Sequence, residues 1–331
     1  MALFKTIDEI KLYLSVTKAF KFDSILPYIK QAEAKYIIPA ISQAQYDPLN
    51  TAYNATTPTL TTDQTNLLDK IRLPLANLSY LLYIPVGQLQ LDDAGIRIAN
   101  TENMKTAFEW QIEMLKKSFQ DAGFDGLETL LKFLETNKTI YTLWAASTSY
   151  TEFKTMFINT ASDFSKYYNI NNSRRTFLAI NGIMKKVEEL IIKPAISTTL
   201  YDAIKAQLLT TISSENQTII TNYIKPAIAN FTISRAIAEL SVIMTEYGIS
   251  VFNNDSTKQA TQKEDASRLS NLQQIAEADG KNYLKQLRDY LNTTASATVY
   301  PLYFASDLYI DTTSATETFE NDSASGIVGL L

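Results

Sequence analysis

Pro39-Ala40-Ile41-Ser42-Gln43-Ala44-Gln45-Tyr46-Asp47 returns as Pro194-Ala195-Ile196-Ser197-Thr198-Thr199-Leu200-Tyr201-Asp202, with six identities in nine positions and one offset of 155 residues. Repeats decide architecture, because each copy must bury its own apolar face or share it with its neighbour. Later matches keep the same order: Leu75-Ala76-Asn77 with Ile228-Ala229-Asn230 and Gly95-Ile96 with Gly248-Ile249 at 153, then Phe133-Leu134 with Tyr290-Leu291 at 157. Offsets that drift by a few residues are what loop insertions produce. The reading is a tandem duplication: a first module at 1–139, a second at 140–298, and an extended acidic, aromatic C-terminal arm at 299–331.

The periodicity inside each module is mainly helical, so the fold class is mainly α, a helical bundle with a small β-hairpin in each copy. Asp23 or Ser24 is placed to cap a helix through Ile38, with Ile25, Tyr28, Ile29, Ala32 and Tyr36 on one face. Pro39 then closes or bends it, and a short helix follows through Tyr46. The Thr-rich stretch 51–62 reads as a loop. Asp63 is placed to cap a long helix reaching about Tyr83, with a kink or break at Pro74.

From Gln88 to Asn100 the period changes to two: Leu89 and Leu91, then Ile96 and Ile98, flank Asp92-Asp93-Ala94-Gly95, a hairpin pattern with Gly95 supplying the positive φ of a tight turn. Two further helices, about Glu102–Asp121 and Gly126–Thr136, complete the module. The second copy has a weaker hairpin around Gly248 and Val251-Phe252, followed by a polar loop from Asn253 to Lys258. Unpaired strand edges are templates for association.

The chain has 331 residues, 46% of them hydrophobic and 20% charged, enough for two packed cores. No run of about 18 apolar residues is present, and the first 20 residues carry charges throughout, so the expectation is a protein made in the cytoplasm, with no membrane partner. The net charge is -5, and Pro301–Leu331 alone carries five carboxylates and no Lys or Arg, so the rest of the chain is electroneutral. A nucleic-acid binder ordinarily carries a basic excess.

Cysteine and histidine are both absent, which removes the thiol nucleophile, the commonest general base and the commonest metal ligand. Ser15 and Lys18 have Ser-x-x-Lys spacing but lack the partner motifs of that chemistry. Asp92-Asp93, Asp121 with Asp125, and Glu188-Glu189 fit no calcium loop and read as turn caps and solvated faces. No phosphate-binding glycine motif occurs. Arg174-Arg175, Lys185-Lys186 and Lys116-Lys117 read as solvated helix positions. The expectation is no catalytic residue, no cofactor, no metal, and a protein that is not an enzyme. Candidate interaction residues are the hairpin positions Leu89, Leu91, Ile96 and Ile98 and the arm's Tyr300, Tyr303, Phe304 and Tyr309. For the arm, docking on a neighbour and docking on its own body are both open.

Phe22-Asp23-Ser24 leading into Ala32-Glu33-Ala34-Lys35-Tyr36-Ile37-Ile38-Pro39, Leu91-Asp92-Asp93-Ala94-Gly95-Ile96, Lys105-Thr106-Ala107-Phe108-Glu109-Trp110-Gln111, Ser173-Arg174-Arg175-Thr176-Phe177-Leu178 and Tyr300-Pro301-Leu302-Tyr303-Phe304 together resemble a structural protein family of tailed phages and prophages of Bacteroides-type bacteria. The resemblance spans nearly the whole chain. It implies a virion protein of the neck or tail region, similar to head-tail connector (adaptor) subunits that form a ring of about a dozen copies under the portal. In that setting the partners are like subunits, the portal and other neck or tail proteins, with DNA at most passing through the lumen. The alternative is a helical scaffold, with no virion role, that binds a small ligand or peptide between its modules.

Overall fold

A computed structural model describes residues 2–17, 20–87, 89–92, 95–98, 107–240, 242–245, 248–251 and 259–311. The chain is mainly helical and divides into two compact units, 1–182 and 183–331, with the division inside the helix Arg174–Val187. In the first unit the helix Thr62–Gly87 is central. Pro74 to Tyr80 are buried at every position, which is what a helix surrounded by protein shows. It packs against Glu109–Thr136 and Phe22–Ala32. In the second unit Lys225–Glu239 has the same character and packs against Gln259–Thr294.

Both long-helix crossings are made possible by glycine. A Cβ on Gly123 would lie 2.7 Å from Leu78, and one on Gly126 3.0 Å from Pro74. In the second unit a Cβ on Gly280 would lie 2.9 Å from the Phe231 ring. Gly123 and Gly280 are 157 residues apart, Leu78 and Phe231 153, so this is one crossing used twice. The close approach corrects the expected break before Gly126: Glu109–Thr136 is a single helix, because packing at the crossing outweighs the roughly 1 kcal/mol propensity cost of a helical glycine.

Proline is handled in two ways. Pro39, Pro194 and Pro226 each follow a π-helical turn, Glu33–Ile37, Glu188–Ile192 and Ile220–Ile224. A proline ring crowds the carbonyl four residues back and offers it no N–H; widening the turn lets the carbonyls reach donors one residue further on. The helix therefore passes Pro39 and ends at Ile41 rather than Ile38. In the first copy Thr62–Gly87 runs through Pro74 as one helix, so of the kink or break expected there the break is absent.

The π turn at Ile220–Ile224 also accounts for a drift in offset. Before it, Thr61 and Ser213 accept from the backbone N–H groups of Gln64 and Asn216, an offset of 152. After it, the Asn77 and Asn230 amides donate to the carbonyls of Leu73 and Pro226, an offset of 153. One extra residue has been absorbed inside a helix rather than in a loop.

Other boundaries move by local chemistry. The first long helix starts at Phe22, ahead of the expected Asp23 or Ser24 cap, and Thr61 rather than Asp63 caps the helix at Thr62. Gln43–Asn54 extends eight residues beyond Tyr46, because Leu49 and Tyr53 continue its buried face. Two short antiparallel ladders occupy matching positions, Leu89–Asp92 with Gly95–Ile98 and Val242–Thr245 with Gly248–Val251, and every paired position is offset by 153. Gly95 pairs with Asp92 in the ladder; Asp93 and Ala94 between them lie outside the described residues.

Residues 140–154 complete the first copy's core rather than opening the second module. The Trp144 indole is fully buried and donates to the Ala40 carbonyl at 3.0 Å, and the Tyr141 hydroxyl donates to the Asp63 carbonyl at 3.0 Å. The second copy repeats this with Tyr300, whose hydroxyl donates to the Glu215 carbonyl at 2.6 Å, and with the buried Tyr303. The arm thus begins as the closing segment of its own module as far as Asp311; the tail from 312 lies outside the described residues.

Ser42 and Ser197 join short helices to longer ones with φ 68° and 70° and ψ 152° and 144°, a region that suits glycine. Each hydroxyl caps the following helix, accepting from Gln45 N–H or Leu200 N–H. Ser42→Gly gives up a cap worth a few tenths of a kcal/mol and relieves strain of order 1–3 kcal/mol, so it is expected to raise stability by about 1 kcal/mol. Ser42→Ala keeps the strain, loses the cap and lowers stability by about 1 kcal/mol. Urea unfolding of the two variants checks this, and a destabilised glycine variant refutes stored strain.

Candidate assembly surfaces

The long helix after each ladder begins beyond the core it later joins. In Glu109–Thr136 the buried residues start only at Gly123, and the first turns carry Phe108, Trp110 (61% exposed), Met114 (64% exposed) and Leu115 in the open. In Gln259–Thr294 the corresponding stretch exposes Leu269, Leu272 and Ile275, which at spacings of three form one helical stripe. With the offset of 157 fixed by the glycine crossing, Leu269 and Leu272 stand where Ile112 and Leu115 stand in the first copy. Grouped exposed apolar residues mark contact surfaces, whereas single ones need no explanation.

The hairpin positions Leu89, Leu91, Ile96 and Ile98 lie on the first ladder, Leu89 opposite Ile98 and Leu91 opposite Ile96. Their side chains lie outside the described residues. Tyr300 and Tyr303 are interior residues of the second unit, so neither ring is available to a neighbour without leaving that core. Phe304 and Tyr309 lie against each other as a tilted pair, centroids 4.7 Å apart, and Phe304, Leu302 and Ile310 are exposed. The structure therefore separates the four aromatic candidates into two that close the module and two that remain at the surface.

The polar candidates are dispersed. Ser15 is exposed; Lys18, Asp93 and the expected polar loop 253–258 lie outside the described residues. Asp125 has its carboxyl held above the usual range by burial and then by the charge of Asp121. Arg174 is buried against Glu128 at 3.2 Å, burial being what pulls its pKa down, and Arg175 donates to Gln120 at 2.8 Å. Lys186 pairs with Glu239 and Lys116 with Glu113. Among the described residues no group of three or more acidic side chains is placed to hold a metal, and no helix is long and apolar enough to cross a membrane.

Glu188, expected on a solvated face with Glu189, is buried instead and belongs to a feature that both copies share. Glu33 and Glu188, 155 apart, each open a π turn and are each buried. Glu33 accepts from the Leu3 N–H at 2.6 Å, and burial pushes its pKa up. Glu188 is paired with Lys205. The signal was present in the shared offset. A lone glutamate in an apolar helix face nevertheless looks like any solvated position until the chain that covers it is known.

The family described as "Family of unknown function (DUF6712)" matches the chain twice, over residues 37–154 and 192–313. The two matches begin 155 residues apart, the offset of the Pro-Ala-Ile-Ser repeat, and end 159 apart, the offset of Tyr141 and Tyr300. No curated protein and no solved structure matches the chain.

Proposed function

Because the chain belongs to the DUF6712 family and carries its domain twice, we propose a role for it from what the two copies share: it is a virion structural protein, a head-tail connector or neck-ring subunit that joins the portal to tail components and surrounds the DNA channel. The observation that carries the reading is that the long helix after each ladder begins with exposed apolar residues, Phe108 to Leu115 in the first copy and Leu269 to Ile275 in the second, the two stretches overlapping at Leu115 and Leu272. A surface repeated in this way suits a subunit that meets a like neighbour on each side, the head-to-tail arrangement that closes into rings. The hairpins add strand edges to the same contact. The resemblance to phage connector proteins supplies the virion setting, and an electroneutral body suits a lumen that passes DNA without gripping phosphates.

Light scattering with negative-stain imaging tests this on the full chain. The expected result is rings of about a dozen subunits. The double variant Met114→Glu with Leu272→Glu places charges in both stripes and is expected to leave monomers with an unchanged circular dichroism spectrum. A wild-type chain that stays monomeric at high concentration and does not associate with portal particles overturns the proposal.

A further inference from the structure

The first unit shows where the chain goes once its module is closed. Lys154, at the end of the closing segment, pairs with Glu135 at 2.7 Å; beyond it Arg174 pairs with Glu128 at 3.2 Å and Arg175 donates to Gln120 at 2.8 Å. The chain therefore returns along Glu109–Thr136 toward that helix's N-terminus, basic side chains meeting acidic and amide ones. At the offset of 157 fixed by the glycine crossing, Glu135 corresponds to Asn292, Leu131 to Arg288, Glu128 to Lys285 and Phe124 to Lys281.

Leu131, Glu128 and Phe124 are buried in the first copy, whereas the cations in their places are open: Lys285 is 76% and Lys281 67% exposed, and Arg288 is exposed as well. At helical spacings of four and three these cations form one stripe that ends at Asn292. Lys281 and Lys285 touch Glu277 and Asp289 one turn away, exposed pairs of the kind that contribute little and yield readily. Asn292 also anchors the closing segment of the second copy, its side-chain oxygen accepting from the Ile310 N–H at 3.1 Å and from the Tyr303 hydroxyl at 3.0 Å. The chain that continues from this anchor, 312–331, carries Glu317, Glu320 and Asp322 and no Lys or Arg.

We propose that the acidic tail 312–331 docks on this stripe of its own chain, with Glu317, Glu320 and Asp322 against Lys281, Lys285 and Arg288. The path is the one taken in the first copy with the signs exchanged: Glu128 meets Arg174 there, and Lys285 in its place meets a carboxylate. Reach is sufficient. Lys281 lies roughly 16 Å along the helix from Asn292, and Glu317 can extend up to about 23 Å from Ile310. The tether makes docking intramolecular, so the stripe sees the carboxylates at an effective concentration on the order of millimolar, which suits individually weak pairs. The inference is independent of ring assembly, since neither residue altered in the assembly test belongs to the stripe or the tail.

Because the chain has no cysteine, nitroxides on Ala278→Cys, exposed one turn before Lys281, and on Thr318→Cys in the tail can report docking in the full chain as a short interspin distance. Raising NaCl to about 1 M, where the Debye length is about 3 Å, is expected to lower the ratio of docked to undocked tail about tenfold. Reversing the stripe with Lys281→Glu, Lys285→Glu and Arg288→Glu should do the same at low salt without altering the circular dichroism spectrum. Adding Glu317→Lys, Glu320→Lys and Asp322→Lys to the reversed stripe should restore the short distance, which general damage to the helix would not allow. Mixed singly labelled chains should not show it. The proposal is overturned if the doubly labelled chain lacks the short distance, if neither salt nor stripe reversal moves it, if the exchanged charges fail to restore it, or if it arises between singly labelled chains, which would put the tail on a neighbour.

Discussion

Trp144→Ala is expected to lower the stability of the first unit by about 3–5 kcal/mol, the range for truncating a fully buried large aromatic. The side chain has no exposed surface, packs edge-on to Tyr150 with centroids 4.8 Å apart, and spends its only polar atom on the Ala40 carbonyl. Truncation therefore leaves a cavity and an unpaired carbonyl beside the Ser42 junction. A linker residue between modules behaves differently, since substitutions away from packed features usually stay within about 0.5 kcal/mol. Urea unfolding followed by far-UV circular dichroism distinguishes the two, and a change near zero would mean that residues 140–154 do not complete the first core. The second copy gives an internal control. Tyr300→Phe removes the bond to the Glu215 carbonyl and the hydroxyl's contact with Tyr290 and is expected to cost about 1 kcal/mol.

That boundary was hard to read for a physical reason. Pro39-Ala40-Ile41-Ser42 and its copy are legible because a proline after a π turn and a strained serine cap leave few alternative residues. Tyr141 recurs as Tyr300 with the same kind of bond, but Trp144 meets Tyr303, which donates to Asn292 and the Leu308 carbonyl instead of to a counterpart of Ala40, so a single identity at an offset of 159 is all that the letters show. Gly126 misleads in the opposite sense. In a sequence it resembles a helix stop, and only the neighbouring Pro74 shows that it marks a crossing.

The candidate surfaces were legible unevenly as well. Alternation at Leu89, Leu91, Ile96 and Ile98 points to a ladder from the letters alone. The apolar positions of Glu109–Thr136, by contrast, have helical spacing along their whole length. Spacing does not report that burial begins only at Gly123.

Arg72→Ala is expected to cost about 3–5 kcal/mol, because it breaks a largely buried pair and strands its partner. Arg72 donates to Glu9 at 2.7 Å and to the Leu3 carbonyl at 3.2 Å, and its guanidinium lies over the Phe4 and Tyr53 rings. Glu9 also accepts from Tyr53 and from the backbone N–H groups of Lys5 and Thr6. Burial alone would raise the Glu9 pKa, but these bonds together with the Arg72 charge outweigh it and leave it below the usual value of 4.5. A carboxylate whose folded pKa is depressed contributes stability that is present above its unfolded pKa and is lost as pH falls through the folded value. Wild type should therefore lose stability below about pH 4.5, and Glu9→Gln should flatten that part of the profile. Combining Arg72→Ala with Glu9→Gln is expected to cost less than the sum of the single changes, because the second substitution removes the stranded charge that the first creates. Urea unfolding at pH 7 and pH 4 measures both effects. Additive losses with an unchanged acid slope would mean that Arg72 acts through its stacking on Phe4 and Tyr53 rather than through the pair.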